Sequence, residues 1–361
     1  MKVLLKYCYL AFHNIYITLF FLMSKTNLTI LAQTLGLSVG TVSKALNDYD
    51  DVSEKTKLKV LELAKKLNYK PNSYAISLRN QESKTIGLLV PEIVHHFFSN
   101  IIHGAVETAE KFGYVVIILE SNESYEFEKK QLQLLLDRNV DGIMMSLADN
   151  TVNYEHIAEI IEDGTPVTLY DKITKSIETH KVLINDEKAA YNATEHLIRT
   201  GCKRIAHIRG PLKPQTTIDR LKGYRKALQD HGITYDKSIV FESLNFSFED
   251  GKSIARTIIK DFPDVDGIFA FTDLTATGAL VELKNNGIRI PEDVSIVGFS
   301  NWFLTKITTP KMTTVNQSGY EMGKQAVLLL LDEIQDRKKS LPFNYKTIEI
   351  PAELVIRDST K

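Results

Sequence analysis

The run Ser38-Val39-Gly40-Thr41-Val42-Ser43-Lys44-Ala45-Leu46-Asn47 has the residue types of a helix that reads a nucleic acid. Ser38 can cap it by accepting an amide from its first turn. Val42 and Leu46, four apart, would face a small core. Val39, Gly40, Ser43 and Lys44 fall on other faces, small or polar with one cation. Upstream, Asn27 can cap a helix whose apolar residues Leu28, Leu31, Ala32 and Leu35 recur at helical spacing, and Gly36 tolerates the left-handed turn between the two. Helix, glycine turn and small-residue helix is the spacing of a helix-turn-helix, whose second helix enters a major groove. Any two short amphipathic helices about a glycine would look the same. A third helix, capped by Ser53, is expected through Val60, Leu61, Ala64 and Leu67.

A second set of side chains suits a small polar ligand. Ser146, Asp171, Asp273 and Ser300-Asn301 each follow an apolar strand-like run, and open parallel sheets bind ligands beyond the carboxyl ends of their strands. Arg220 opens the helical run Arg220-Leu221-Lys222-Gly223-Tyr224. Arginine and aspartate make paired hydrogen bonds to vicinal hydroxyls, and Phe246 and Phe97-Phe98 could stack on the apolar face of a sugar or base. Each has a plainer alternative: Asp171 and Asp273 as helix caps, Arg220 as a helix-terminal cation, Phe97-Phe98 as core. Catalytic chemistry finds no constellation. Gly251-Lys252-Ser253 lacks the upstream glycine of a phosphate loop and falls in a helical stretch. His95-His96 point apart in regular structure and make a poor metal pair, and His207 sits in an apolar strand. No Gly-x-Ser-x-Gly elbow stands out. Neither an enzyme nor a cofactor or metal is expected.

The elements that must position these residues follow from the chain's organisation. A length of 361 residues allows a small domain with a larger one, or two or three of ordinary size. The composition is that of a soluble globular protein. Cys8 and Cys202 offer neither metal-ligand spacing nor a disulfide framework, which suits a reducing cytoplasm. The net charge of −1 hides an asymmetry: residues 24–84 carry ten Lys/Arg against six Asp/Glu, while the stretch from 85 on is acidic. A basic head on an acidic body puts a polyanionic partner at the head, although a solvated helix bearing Lys55, Lys57, Lys59, Lys65 and Lys66 accounts for part of the excess. Residues 1–22 are apolar and aromatic with early Lys2 and Lys6, yet no small-residue cleavage site follows and the uninterrupted run is too short for a membrane helix. Translation is expected to begin at Met23. From 86 on, strand-like runs (86–90, 115–119, 142–146, 167–170, 204–208, 267–271, 294–298) alternate with helical stretches (99–112, 126–139, 187–200, 221–231, 248–260, 275–286). That alternation predicts two doubly wound parallel-sheet lobes.

Leu31-Ala32, Leu35-Gly36-Leu37-Ser38, Thr41-Val42-Ser43-Lys44-Ala45-Leu46-Asn47, Val52-Ser53 and Leu67-Asn68-Tyr69-Lys70-Pro71-Asn72 together resemble the lactose-repressor/galactose-repressor (LacI/GalR) family of bacterial transcription regulators. The body resembles the periplasmic sugar-binding-protein fold carried by that family. The resemblance implies an all-α helix-turn-helix head at 23–71, a hinge helix and linker at 72–84, and a two-lobed effector-binding and dimerisation body at 85–361. The chain would cross between lobes near 185, 317 and 343, giving one lobe of 85–184 and 318–343 and another of 185–316 and 344–361. It places Val39, Gly40 and Lys44 at base edges, and Thr41, Ser43 and Asn47 on phosphates or in packing. Asn27, Ser38, Tyr69, Asn72, Ala75 and Leu78 join the DNA interface, with Leu78 a wedge in the minor groove. Arg220 matches the family's effector-contacting arginine, and Gln317 a ligand-proximal residue at a crossing. Many members carry an acidic residue where this chain has Ser300-Asn301. The implied partners are pseudo-palindromic operator DNA, a carbohydrate-like effector and a second copy of the chain, with no membrane. No leucine heptad follows Arg357, so a dimer is expected without a tetramerising coiled coil. The rival reading is an exported or membrane-tethered solute-binding protein.

Overall fold

The computed structural model describes residues 27–69 and 82–361. They fall in two units divided after Ser83. The first holds three helices: α1 (Leu28–Leu35), α2 (Val39–Leu46) and α3 (Glu54–Lys66). Asn27 Oδ1 accepts from Ile30 N at 3.0 Å, Gly36 takes φ 63°, and Ser38 Oγ accepts from Thr41 N at 3.0 Å. Their core is Leu31, Ala32, Val42, Ala45, Val52, Val60 and Ala64. Ala45 is buried in α2 where Leu46 was expected, and Leu46 is only partly covered. Lys57 also departs from the solvated-helix expectation. It is buried, with its ammonium held by Asp48 and Glu54.

The second unit contains two six-stranded sheets. The first lobe is built from β1 (Thr85–Val90), α4 (His96–Lys111), β2 (Val115–Glu120), α5 (Tyr125–Asp137), β3 (Gly142–Met145), α6 (Glu155–Glu162), β4 (Val167–Tyr170) and β5 (His180–Ile184). The second is built from α7 (Asp186–Arg199), β6 (Ile205–Arg209), α8 (Gln215–Asp230), β7 (Val240–Glu242), α9 (Phe248–Asp261), β8 (Gly267–Ala270), α10 (Asp273–Asn285), β9 (Ser295–Phe299), α11 (Leu304–Ile307) and β10 (Thr313–Asn316). The chain then returns through α12 (Gly319–Lys338) and β11 (Thr347–Ile350) before ending in β12 (Glu353–Val355). Strand order is β11-β5-β4-β3-β1-β2 in one sheet and β12-β10-β9-β8-β6-β7 in the other. All pairings are parallel except β10 with β12. Each of the seven expected strand runs and six helical stretches overlaps an element, but α8 begins at Gln215, so Arg220 lies within the helix and does not open it.

The chain changes lobes at Asn185, at Gln317-Ser318 and at Pro351-Ala352. The third passage lies beyond the expected position near 343, and this corrects the lobe boundary. Thr347–Ile350 runs parallel to β5, Ile348 opposite Val182, so residues 344–350 complete the first lobe.

Helices pair over the sheets through glycines. A Cβ on Gly104 of α4 would lie 2.0 Å from the Tyr320 carbonyl of α12, and one on Gly323 of α12 would lie 2.1 Å from the Ile101 carbonyl. Gly223 does the same between α8 and α7, and Gly251 and Gly278 between α9 and α10. Gly104→Ala should therefore force α4 and α12 apart, costing about 1–3 kcal/mol of body stability by overpacking. Gly40→Ala in α2, where the nearest atom is Ser38 Oγ at 3.7 Å, provides the contrast. Thermal melting of both variants checks this; equal melting temperatures for Gly104→Ala and the unaltered chain would contradict it.

Candidate functional site

In the head, caps and packing decide which side chains of α2 remain for a ligand. Ser38 and Thr41 hydroxyls pair with each other at 2.8 Å. Asn47 Nδ2 donates back to the Ser43 carbonyl at 2.7 Å, closing the helix. Asn27 is committed to its cap. Val39, 43% exposed, Gly40 and Lys44 are exposed among the described residues. The Lys44 ammonium forms an ion pair with Asp51, and that carboxylate holds its pKa above the ordinary lysine value. Tyr69 packs on the head core, its amide donating to the Ala64 carbonyl, and burial raises its hydroxyl pKa. Asn72, Ala75 and Leu78 lie outside the described residues.

In the body, the carboxyl ends of both sheets converge on one polar cluster, where open α/β sheets bind ligands. Arg220 on α8 is 4% exposed. Its Nε donates to Asp186 Oδ1 at 2.7 Å and its Nη1 to the Phe271 carbonyl at 3.0 Å. The guanidinium lies 3.6 Å from the Phe299 ring centre and 4.2 Å from that of Phe271, a doubly stacked cation. Phe246 stacks in turn on Phe271 at 5.2 Å. Asp171, at the end of β4 with φ 57°, is buried and accepts no protein hydrogen bond through its carboxylate. Burial, reinforced by the charge of Asp186, pushes its pKa up to about 7 against the opposing pull of Lys172 and Arg220. Ser146 is buried beside it, its hydroxyl facing the Lys172 amide at 3.4 Å.

Other expected ligand contacts are committed elsewhere. Asp273 is bonded within the second lobe: Trp302 N donates to Oδ2 and the Thr314 hydroxyl to Oδ1, both at 2.6 Å. Burial raises its pKa to about 6, these two donors working against the shift. It fastens the turn after β9. Within that turn Ser300 and Asn301 both take positive φ, Ser300 donating to Gln317 Oε1 at 2.8 Å and Asn301 Oδ1 accepting from Arg357 at 2.7 Å. Phe97 and Phe98 are 3% and 6% exposed in the first lobe's core, and the core alternative is the one their packing supports. His207 is likewise a core residue, Nδ1 on the Phe269 carbonyl and the ring between Tyr224 and Phe269.

Four residues at the cleft escaped sequence reasoning. His95, just before α4, buries Nδ1 with no partner, and burial with the nearby Lys172 charge lowers its pKa to about 4. Lys172 is enclosed by Glu123 and Asp149. Asp186 opens α7 straight after the first crossing, a signal that would have been readable had β5 been recognised. Trp302 of the second lobe stacks on His96 of the first, ring centres 5.8 Å apart. A cavity of about 290 Å³ opens between Asp149, Lys172 and Lys175 of one lobe and Lys213 and Gln215 of the other. A larger one, about 540 Å³, lies at the amino end of β6 around Tyr235. Its arginine, Arg204, is taken up by Asp236 and Asp264. Among the described residues no acid, histidine or cysteine cluster could hold a metal ion, and no helix is long and apolar enough to cross a membrane.

Two family models match this chain. "Bacterial regulatory proteins, lacI family" covers residues 31–72, and "Periplasmic binding proteins and sugar binding domain of LacI family" covers 83–357. The ribose operon repressor of Halalkalibacterium halodurans is 33% identical over 93% of this chain and 97% of its own. The transcriptional repressor CytR of Escherichia coli K12 is 33% identical over 90% and 93%. Among solved structures, a LacI family transcriptional regulator from Enterococcus faecium with bound ribose is 29% identical, with a TM-score of 0.66 over 76% of this chain and 98% of its own. A DNA-reading head and a two-lobed ligand cleft thus occur together along one chain, which belongs to the LacI family of bacterial transcription regulators.

Proposed function

We propose that this regulator is a cytoplasmic homodimeric repressor that reads a pseudo-palindromic operator and is switched by a small, neutral, hydroxyl-rich effector bound between its lobes. The observation that carries the effector class is Asp171. A buried carboxylate without a protein donor, beside the Asp186–Arg220 pair and the unpartnered His95 Nδ1, is matched by a ligand with several hydroxyl donors. Arg220 Nη2, which makes no protein hydrogen bond, supplies a donor in return. Phe246 offers an apolar wall. The relatives named for ribose fit that chemistry. Binding is the cleft's whole task in this reading, with no turnover. In the head, Val39 meets a thymine methyl, Lys44 reaches guanine acceptors, and Thr41, Ser43 and Asn47 serve phosphates or helix packing. Two heads need a two-fold pair to read two half-sites. The exported solute-binding alternative would leave the head without a purpose.

The test is selection of DNA from a randomised pool by the full chain, followed by melting with ribose, ribonucleosides and cellobiose. A ligand at 100 times its dissociation constant should add about 2.7 kcal/mol of stability. No enriched sequence and no stabilising ligand would refute the reading. Trp302, the chain's single tryptophan, provides a further check. Because it bridges the lobes through His96, its emission should change saturably with effector. Stabilisation without any change in emission would show that the ligand leaves the His96–Trp302 contact untouched.

A further inference from the structure

The described residues of the head, 27–69, carry six lysines against five carboxylates, and two of those lysines, Lys44 and Lys57, form internal ion pairs. Lys57 is structural, buried between α3 and the loop after α2. Lys44 is different: it is exposed on the helix that faces DNA, and Asp51 reaches it from the far end of that loop. The loop is firmly set. Tyr49 N donates to the Lys44 carbonyl at 3.1 Å, Val52 N to the Tyr49 carbonyl at 3.2 Å, Val52 is buried, and Asp48 is tied to Lys57. Asp51 is thus presented to Lys44 by a built turn.

Resting on the proposed operator-reading function, we infer that Asp51 is the residue that sets this head's selectivity, by keeping Lys44 off phosphates while leaving it free to read a base. An ammonium has three donors. One can stay on Asp51 while the others reach guanine O6 and N7, neutral acceptors that the carboxylate beside them repels far less than it repels an anion. A phosphate is an anion. To bind Lys44 it must approach Asp51 or displace it, and the carboxylate then stands uncompensated against the DNA backbone. Phosphate contacts hold any sequence equally, and base contacts only the right one. Asp51 therefore lowers affinity for random DNA more than affinity for the chosen site. It acts through Lys44 as a positioning residue.

The experiment uses the full chain and the sequence it enriches from a randomised pool, with an unrelated duplex of equal length as random DNA. Asp51→Asn is expected to tighten binding to the unrelated duplex roughly fivefold to tenfold at low salt and to the enriched site less than twofold. Its salt dependence on the unrelated duplex should steepen by about one unit per head, for one more phosphate neutralised. Repeating the selection with Asp51→Asn should blur the preference at a guanine-containing position. In a Lys44→Ala background the same exchange removes only a bare carboxylate and should tighten both duplexes alike. Equal tightening on both duplexes with Lys44 present, or a larger gain on the unrelated duplex that persists without Lys44, overturns the inference and makes Asp51 a general repellent of DNA. An unaltered chain that enriches no sequence instead refutes the operator-reading function, and this inference with it.

Discussion

Asp171→Asn is expected to stabilise the body at neutral pH while removing its response to effector. The Asp171 carboxyl is buried, and its pKa is raised from 3.8 to about 7. Below pH 4 the folded and unfolded chains both carry the proton and the group contributes nothing. Between pH 4 and 7 the unfolded chain has lost its proton and the folded chain keeps it, so stability falls as pH rises. Above pH 7 the full penalty is present. A shift of about three units corresponds to about 4 kcal/mol at most, from 1.4 kcal/mol per unit. Asparagine has the same shape without the charge, so the variant should melt higher than the unaltered chain at pH 8 and alike at pH 4. Effector binding should move the other way. Ligand hydroxyls donate to an ionised carboxylate, each such bond worth about 1.5–3 kcal/mol, so affinity in the variant should drop tenfold to a hundredfold. For the same reason the unaltered chain should bind effector more tightly as pH rises through 7. Melting curves at the two pH values and a ligand titration decide it. A variant less stable at pH 8 would mean that the carboxylate has a protein partner in solution.

Much of this architecture was legible from residue pattern. Asn27, Gly36, Ser38 and Ser53 announce their helices because a cap is local: one side chain, one amide, three residues apart. The strands β1, β3, β4, β6, β8 and β9 read as apolar runs because both of their faces are buried, while β2, at the sheet edge and only partly buried, is apolar all the same. What escaped reading depends on contacts distant in sequence. The longest helix among the described residues, α12, packs on α4 and on the sheet at once, so Val327, Leu329, Leu330, Leu331 and Ile334 are buried around more than one side and leave no single stripe. β11 and β12 are short, mixed in polarity, and defined only by their partners, which is why the third lobe crossing was displaced. At the cleft the residue types were readable but their allegiances were not. Asp171 and Asp273 each follow a strand, yet only the positions of Trp302 and Thr314 show that Asp273 is bonded internally while Asp171 is not. His95 was set aside as a metal ligand. Its importance appears only once Lys172 and Arg220 are brought near it.

Arg220→Ala should destabilise the body strongly, and this decides how any loss of ligand response in that variant is interpreted. Arginine and Asp186 are 4% and 7% exposed. Removing the guanidinium leaves Asp186 buried, its pKa already raised by burial with only Arg220 to oppose the shift. It also strips the cation from between Phe271 and Phe299 and opens a void there. Breaking a buried pair from one side costs about 3–5 kcal/mol. In a domain of this size each kcal/mol moves the melting temperature by about 2–4 °C, so a fall of about 10 °C is expected. Asp186→Asn in the same chain should recover part of it by removing the stranded charge, although two neutral groups do not refill the space between the rings. Arg220→Lys separates the two roles of the residue. It retains a cation for Asp186 but loses the fork that serves Asp186 and the Phe271 carbonyl together, and it lacks the flat face that both rings cover. It should therefore remain nearer the unaltered stability while losing effector affinity. Were Arg220→Ala to melt normally, the pair would be solvated and Arg220 would be free to swing toward ligand. Were Arg220→Lys to bind effector unchanged, the guanidinium would be a strut for Phe271 and Phe299, and recognition would fall to Asp171 and His95.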